Sequence, residues 1–114
     1  MESILTSIKK LLGIAEEYDQ FDPEIIMNIN SVFMILTQLG VGPPEGFRIE
    51  SETATWSDFV GDSIDVEAIK SYIYLKVKLM FDPPNSGSVM DSYNRMISEL
   101  EWRLNVAAES VKSD

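Results

Sequence analysis

Apolar residues recur at helical spacing over most of the chain, and turn-forming residues separate the resulting segments. The first segment begins near the N-terminus and ends at Gly13, a residue typical of helix C-termini. One face of this segment is apolar and consists of Ile4, Leu5, Ile8, Leu11 and Leu12. The pattern predicts an amphipathic helix with this face turned towards a core.

A second helix is predicted from Asp22 to Gly40. It starts with Asp22-Pro23-Glu24, which supplies a capping acid, a proline at the first helical position and an acid near the positive end of the helix dipole. Five apolar residues then follow at helical spacing: Ile25, Ile29, Val32, Leu36 and Leu39.

Residues 40–55 are rich in glycine and proline and predict a long loop. A loop of this length in a small domain is usually functional or mobile. Within it, residues 47–49 (Phe-Arg-Ile) are predicted to be a short extended piece. Trp56 to Val60 then predict one helical turn, which Gly61 ends.

A third long helix is predicted to start between Asp62 and Asp65 and to run to Phe81. Asp82-Pro83-Pro84 stops it, because proline lacks the amide hydrogen that a helix needs. The helix carries two opposed apolar faces, which predict a central position between other helices. One face holds Val66, Ile69, Ile73, Val77 and Met80, and the other holds Ala68, Tyr72, Leu75 and Leu79.

The last helix is predicted to begin with a variant capping box, Ser88 to Asp91, and to end near Glu109, with a frayed tail over residues 110–114. Its core face is predicted to comprise Val89, Tyr93, Met96, Ile97, Leu100 and Leu104. The chain is therefore predicted to be a single all-α domain over residues 1–114. Its architecture is a small bundle of about four helices, with a possible short fifth and the 40–55 loop.

Three large apolar residues fall on faces that should point away from the core. Trp102 lies opposite the apolar face of the last helix, and Met27 and Met34 lie opposite that of the second helix. Either they form an interface, or another part of the chain, such as the 40–55 loop or the first helix, covers them. Tryptophan and methionine are both enriched at protein interfaces. This apparent surplus of apolar surface favours self-association or a permanent partner.

Composition narrows the possible chemistry. The 114 residues include no cysteine and no histidine, so thiolate and imidazole catalysis and ordinary zinc sites are excluded. The sequence contains no recognisable active site, cofactor motif, calcium loop or phosphate-binding loop, and no apolar run long enough to cross a membrane. We therefore expect no enzymatic activity, no cofactor, no bound metal and no membrane association.

The formal net charge is −10, and its distribution is uneven. Residues 15–67 contain twelve acids and one base, Arg48, whereas residues 68–114 contain six of each. Such an acidic surface should repel nucleic acid, although it can equally serve solubility alone.

Four stretches resemble one family of proteins. The chain is similar to the small head–tail connector proteins, also called head-completion or adaptor proteins, of long-tailed double-stranded DNA phages and prophages. The likeness spans nearly the whole chain and rests on helix-packing and turn patterns: residues 29–34 with Gln38-Leu-Gly-Val-Gly-Pro43, Trp56-Ser-Asp-Phe59, residues 72–84, and Glu99-Leu-Glu-Trp-Arg-Leu-Asn105.

The resemblance implies an all-helical subunit of a ring, of a twelvefold type, that lies beneath the phage portal protein. Such a ring extends the DNA channel and docks the next connector or tail protein, while duplex DNA passes through without tight binding. The protein would first be in the host cytoplasm and later in the virion. The family has no catalytic residues to carry over.

Two sets of site residues follow as hypotheses. The subunit interface is predicted to use Met27, Met34, Lys78, Arg95, Trp102 and Arg103, with the basic residues meeting the acid-rich half of a neighbouring copy. The loop that docks portal or tail is predicted to use Gly42, Pro43, Pro44, Phe47 and Arg48.

The alternative function is an acidic protein that mimics DNA, or a regulatory protein, that binds and inhibits a nucleic-acid enzyme. A mimic needs acids spaced like phosphates along one face, whereas here the acids crowd into loops. An enzyme that relies on carboxylates alone is the remaining possibility.

Overall fold

The helices predicted from the apolar pattern are all present in the computed structural model, which describes residues 2–60 and 66–112. They are α1 (Ile4–Leu12), α2 (Asp22–Gln38), α3 (Trp56–Val60), α4 (Val66–Phe81) and α5 (Gly87–Lys112). The described residues form no β-strand, only an isolated bridge between Ser3 and Thr55. The all-α fold class is confirmed. The predicted stop at Gly61 and the predicted helix start at 62–65 lie outside the described residues.

Helix α4 is the centre of the bundle, as its two apolar faces predict. It contacts α1, α2 and α5, and it lies between α2 and α5. Its buried residues come from both predicted faces: Ile69, Tyr72, Ile73, Leu75 and Val77. Burying both faces of one helix lets a chain of this size build a single core.

Helix α2 buries one face against α4 and leaves the opposite face in solvent. Its fully buried residues follow the predicted spacing: Ile25, Ile29, Val32 and Leu36, together with Phe33. The two predicted glycine stops are also confirmed, since Gly13 and Gly40 have φ of 81° and 86° and follow the ends of α1 and α2. Glycine adopts this left-handed conformation without steric cost.

Helix α5 buries less of its predicted core face than the sequence indicates. Ile97 and Leu104 are buried, but Val89 and Met96 are 40% and 42% exposed, so their assignment to the core is wrong. The reason is that α5 packs mainly against α4, and a helix with one neighbour buries only a narrow arc. Met96 lies 100° around the helix from Ile97 and falls outside that arc.

Two other predicted core residues are also exposed. Leu11 is 49% exposed in the last turn of α1, and Met80 is 46% exposed in the last turn of α4. Both end an apolar face at the point where the helix reaches the surface. Periodicity gives the direction of a side chain but not how far the neighbouring helix extends.

The helix caps differ from the predicted ones. Asp22 is the first residue of α2 rather than its cap, which is Phe21 and makes no side-chain hydrogen bond to the helix. In α5 the capping hydroxyl belongs to Ser86, which accepts a hydrogen bond from the amide of Val89, and not to Ser88. Helix α5 continues to Lys112, three residues past the expected end at Glu109.

The 40–55 loop is packed on the bundle along much of its length. The side chain of Asn30 donates to the carbonyl of Ile49 at 2.9 Å and accepts from its amide at 2.8 Å. Val41 and Ile49 are buried. Residues 47–49 form no strand with another segment, and the side chain of Asn30 satisfies the backbone there instead.

The N-terminus is held against the residues before α3. The amide of Ile4 donates to the carbonyl of Ala54 at 3.0 Å, and the indole of Trp56 donates to the hydroxyl of Ser7 at 3.0 Å. Trp56 is buried in this position. The long loop is thus fixed at its middle by Asn30 and at its end by α1.

Candidate functional site

A groove lies between the outer face of α2 and the loop at residues 45–48. Its volume is about 660 Å³, within the range of ligand and peptide sites. Met27 and Met34 line it on the α2 side and are 63% and 67% exposed. The remaining lining residues are Pro23, Ile26, Asn30, Ser31, Glu45, Gly46, Phe47 and Arg48.

The groove exists because α2 and the loop are fixed relative to each other. Phe47 packs between Phe33 of α2 and Phe59 of α3, with ring centroids 5.1 and 5.2 Å away. The paired hydrogen bonds of Asn30 to Ile49 hold the same stretch two residues later. The wall carrying Phe47 and Arg48 is therefore formed before any partner binds.

A second exposed apolar surface lies on α5. Trp102 is 67% exposed, and Val106, one turn later, is 39% exposed. The 40–55 loop does not cover Trp102, and α1 does not cover Met27 or Met34. Of the two interpretations of these residues, cover by the described part of the chain is therefore excluded.

The groove on α2 and the apolar strip on α5 differ in shape. One is concave and the other is a convex side chain on a helix. Both helices pack on α4, and each surface lies opposite the buried residues of its own helix. One copy of the chain therefore presents two unlike apolar surfaces on two different helices.

Charged residues near these surfaces pair locally within the chain. Lys78 contacts Asp82 at 2.8 Å, and Arg103 contacts Glu99 at 2.7 Å. Arg95 donates to the hydroxyl of Ser92 at 3.2 Å. All of these contacts lie within one or two helical turns at the surface, where ion pairs contribute about 0–1 kcal/mol and exchange partners readily.

Comparison of the sequence with known protein families identifies the family of the chain. The phage connector protein family matches residues 4–111, which is nearly the whole chain and includes all five helices. The chain belongs to the phage connector protein family. This confirms the resemblance given by the helix-packing and turn patterns. No curated protein and no solved structure matches the chain.

A phage connector is a structural protein of the virion, and the described surfaces of this connector agree with such a role. The described residues include no cluster of three or more acidic side chains that could hold a metal ion. No helix among the described residues is long and apolar enough to cross a membrane. The exposed features of this connector are apolar surfaces and charges, which suit binding to other proteins.

The predicted interface residues fall into two groups in this connector. The groove joins Met27 and Met34 to Phe47 and Arg48, which the sequence analysis had assigned to a separate docking loop. Trp102 shares α5 with Arg95 and Arg103. Lys78, on α4, belongs to neither the groove lining nor α5.

The five predicted docking-loop residues also differ in exposure. Pro44 and Arg48 are exposed, whereas Gly42, Pro43 and Phe47 are half-buried. A Cβ atom added to Gly42 would lie 2.3 Å from the ring of Phe59, so Gly42 is required for packing. Only part of this loop is free to meet a partner.

Two polar contacts that the sequence analysis missed hold α5 to α4 and to the end of α2. The hydroxyl of Tyr72 donates to Glu101 at 2.7 Å, and the side chain of Asn105 donates to the carbonyl of Leu39 at 3.1 Å. Burial raises the pKa of Tyr72 above its usual value, and the hydrogen bond to Glu101 and the charge of Glu101 raise it further. These contacts fix the rotation of α5 and hence the direction of Trp102.

The sequence analysis also missed an aromatic cluster near the start of α2. Phe21 lies between Tyr18 and Phe81, with ring centroids 5.5 and 5.2 Å away. Tyr18 and Phe21 are both partly exposed. They precede α2 in a turn-rich segment without helical periodicity, so no apolar pattern marks them as partners of Phe81.

Proposed function

We propose that this phage connector forms a ring between the portal and the tail. In this proposal the ring extends the DNA channel and docks the next connector or tail protein. The observation that carries the proposal is the exposure of Met27, Met34 and Trp102 on two unlike surfaces of one chain. A monomer that stayed alone would leave these large apolar side chains in water.

Two different complementary surfaces are what a ring requires. When surface A of one subunit binds surface B of the next copy, the first subunit's own surface B remains free to bind a further copy. The subunits then form a closed ring if the rotation between neighbours is a whole fraction of a full turn. A surface that binds only its own equivalent ends at a dimer. The groove and the α5 strip, as two unlike surfaces, supply the first arrangement.

The docking role belongs to the exposed part of the 40–55 loop that lies outside the groove. Pro44 is the accessible member of the predicted set there, whereas Arg48 lines the groove and Gly42, Pro43 and Phe47 are half-buried. Portal or tail proteins would contact this tip without having to order the whole loop. The protein would assemble in the host cytoplasm and remain in the virion at the head–tail interface.

The acidic balance supports a channel through which DNA slides. Residues 15–67 contribute twelve acids against one base, and repetition of this excess around a ring gives a strongly negative assembly. Such a lumen repels the phosphate backbone and keeps DNA from adhering. Tight binding of duplex DNA to the assembled protein at moderate salt would contradict this part of the proposal.

The test is a measurement of particle mass as protein concentration rises, with and without portal protein, by light scattering and electron microscopy. We expect closed rings, either alone or seated on the portal. The double substitution Met27→Glu with Met34→Glu should prevent ring formation. A matched control is Glu52→Gln, an exposed site outside the groove lining, which should assemble normally.

Failure to assemble under both conditions would overturn the proposal. A chain that stays monomeric with portal present, yet inhibits a nuclease or polymerase, would instead identify the alternative role of an acidic inhibitor. Catalysis is not part of the proposal.

A further inference from the structure

We infer that Trp102 of one copy inserts into the groove between α2 and the 45–48 loop of the next copy. This inference rests on the proposed ring and names the contact that would join its subunits. The occupant of the groove is thus a second copy of this chain. Its inserted part is the α5 strip formed by Trp102 and Val106.

The shapes of the two surfaces agree. The groove has a volume of about 660 Å³, which is enough for an indole together with a neighbouring side chain. Trp102 projects from a helix and has Val106 one turn further along the same strip. Met27 and Met34 have flexible side chains that can adjust to an aromatic ring and make favourable sulfur–aromatic contacts. Tryptophan is also among the residues that contribute most to binding at interfaces.

The charges of the two surfaces also agree. The groove belongs to the acid-rich part of the chain, and Glu45 lines it. The outer face of α5 around Trp102 carries both signs, with Arg95 and Arg103 beside Asp91 and Glu99. It can therefore place a base against Glu45. A second groove has little to offer in its place, because Arg48 is the one base among residues 15–67.

Pairing of like surfaces is less favourable on both sides. Two grooves brought face to face would place Glu45 and the surrounding acid-rich surface of one copy against those of another. Two α5 strips would bring two projecting tryptophans together with no groove to receive either. Charge opposes the first arrangement and shape opposes the second, so the head-to-tail contact between unlike surfaces is favoured.

Chemical cross-linking tests this contact directly, because the chain contains no cysteine of its own. Met34→Cys and Val106→Cys, which retains the Trp102 side chain, are made as separate proteins, mixed, assembled with portal protein and treated with a short bismaleimide. We expect a cross-linked dimer in the mixture and no dimer from either protein alone. A like-with-like interface would instead give dimers from a single variant and would overturn the inference.

Ser88→Cys provides the matched control. This residue is exposed on the same helix but lies 18 positions before Val106, about 27 Å away at 1.5 Å per residue. Mixed with Met34→Cys, it should give no cross-linked dimer. A yield equal to that of Val106→Cys would mean that the reaction reports proximity of any two copies and not this contact.

Fluorescence gives a second readout that needs no cysteine. Trp56 is 3% exposed and Trp102 is 67% exposed, so a change in emission on assembly reports on Trp102. We expect a shift to shorter wavelength when the ring forms on the portal, and no shift for Met34→Glu. Trp102→Ala should raise the concentration needed for half-maximal assembly by about 30-fold or more, as expected of an interface hot spot.

The possible failures are distinguishable. Rings of normal size that show neither the cross-link nor the emission shift would overturn the inference and leave the proposed function standing. Absence of any assembly, with or without portal, would overturn the proposed function itself.

Discussion

The two tryptophans of the chain lie in regions of opposite character. Trp56 is enclosed between α1 and α4, donates to Ser7, and has the ammonium of Lys70 5.9 Å from its ring. Trp102 lies on the outer face of α5 with most of its surface in solvent. Trp56 belongs to the core and stabilises the fold. Trp102 belongs to the surface and contributes little to the stability of the single chain. The same side chain therefore has two different roles, which mutation can separate.

Replacement of the two tryptophans should have the largest and clearest effect. Trp56→Ala is expected to lower the free energy of unfolding by about 3–5 kcal/mol, because it leaves a cavity and removes the hydrogen bond to Ser7. Trp102→Ala should change the same quantity by only about 0.5 kcal/mol or less. Chemical denaturation followed by circular dichroism measures both. Similar losses for the two variants would show that Trp102 is part of the core after all.

Two glycines extend the comparison to the backbone. Both Gly42 and Gly13 have positive φ, but a Cβ on Gly42 would meet Phe59 at 2.3 Å, whereas a Cβ on Gly13 would meet nothing within 4 Å. Gly13→Ala should therefore cost only the backbone strain, about 1 kcal/mol. Gly42→Ala adds overpacking and should cost about 3 kcal/mol in total.

Thermal unfolding of the two glycine variants gives the measurement. If Gly13→Ala lowered the melting temperature more than Gly42→Ala, the close packing of Gly42 in the 40–55 loop against Phe59 of α3 would be contradicted. Addition of Phe59→Leu to Gly42→Ala should recover part of the lost stability, since it removes the ring that obstructs the new methyl group.

Two cations allow the same comparison for charge. The ammonium of Lys9 is buried and donates to the carbonyls of Glu16 and Tyr18 at 2.9 and 2.8 Å, and it lies 2.9 Å from Asp22. Arg103 pairs with Glu99 at the surface. Lys9→Met removes three contacts and should lower the free energy of unfolding by about 2 kcal/mol. The loss is smaller than for a fully buried ion pair because Asp22 is partly exposed.

The matched change Arg103→Met should alter the free energy of unfolding by about 0.5 kcal/mol or less, because an exposed pair contributes little. Urea denaturation measures both variants. A large loss for Arg103→Met, or none for Lys9→Met, would reverse the assignment of these two residues to surface and interior.

The comparison also shows what the sequence could and could not predict. The inward faces of α1, α2 and α4 follow from periodicity, apart from Leu11 and Met80, because each of these helices packs against at least two others. On α5 periodicity failed for Val89 and Met96, because a helix with one main neighbour buries a narrow arc. Periodicity placed Trp102, Met27 and Met34 opposite the packed faces, but it left open whether another part of the chain covers them.

The groove itself was beyond sequence reasoning. Its two walls come from residues about twenty positions apart, and the contact that joins them is the side chain of Asn30 on the backbone of Ile49. No periodic pattern predicts a single side chain that pairs with both backbone groups of a distant residue. The aromatic cluster of Phe33, Phe47 and Phe59 is similarly formed from α2, the loop and α3 and becomes visible only in the folded chain.

The junction between the two regions is where the smallest effect is expected. Tyr72 on α4 donates to Glu101 on α5, and Tyr72→Phe should cost about 1 kcal/mol because the carboxylate is partly solvated and can bond to water instead. The pH dependence of the free energy of unfolding is more informative. Burial, followed by the hydrogen bond and charge of Glu101, raises the pKa of Tyr72 in the folded chain. The unfolded value is about 10.

A tyrosine whose pKa is raised by folding contributes stability that is fully present below about pH 10 and is lost as the pH rises through the folded value. The wild-type free energy of unfolding should therefore fall above about pH 10, and Tyr72→Phe should reduce this fall. Part of the fall should remain, because burial, together with a hydrogen bond to Tyr93, raises the pKa of Tyr74 as well. An identical profile for Tyr72→Phe and the wild type would mean that α5 is not held to α4 by this contact, and the direction of Trp102 would then need another explanation.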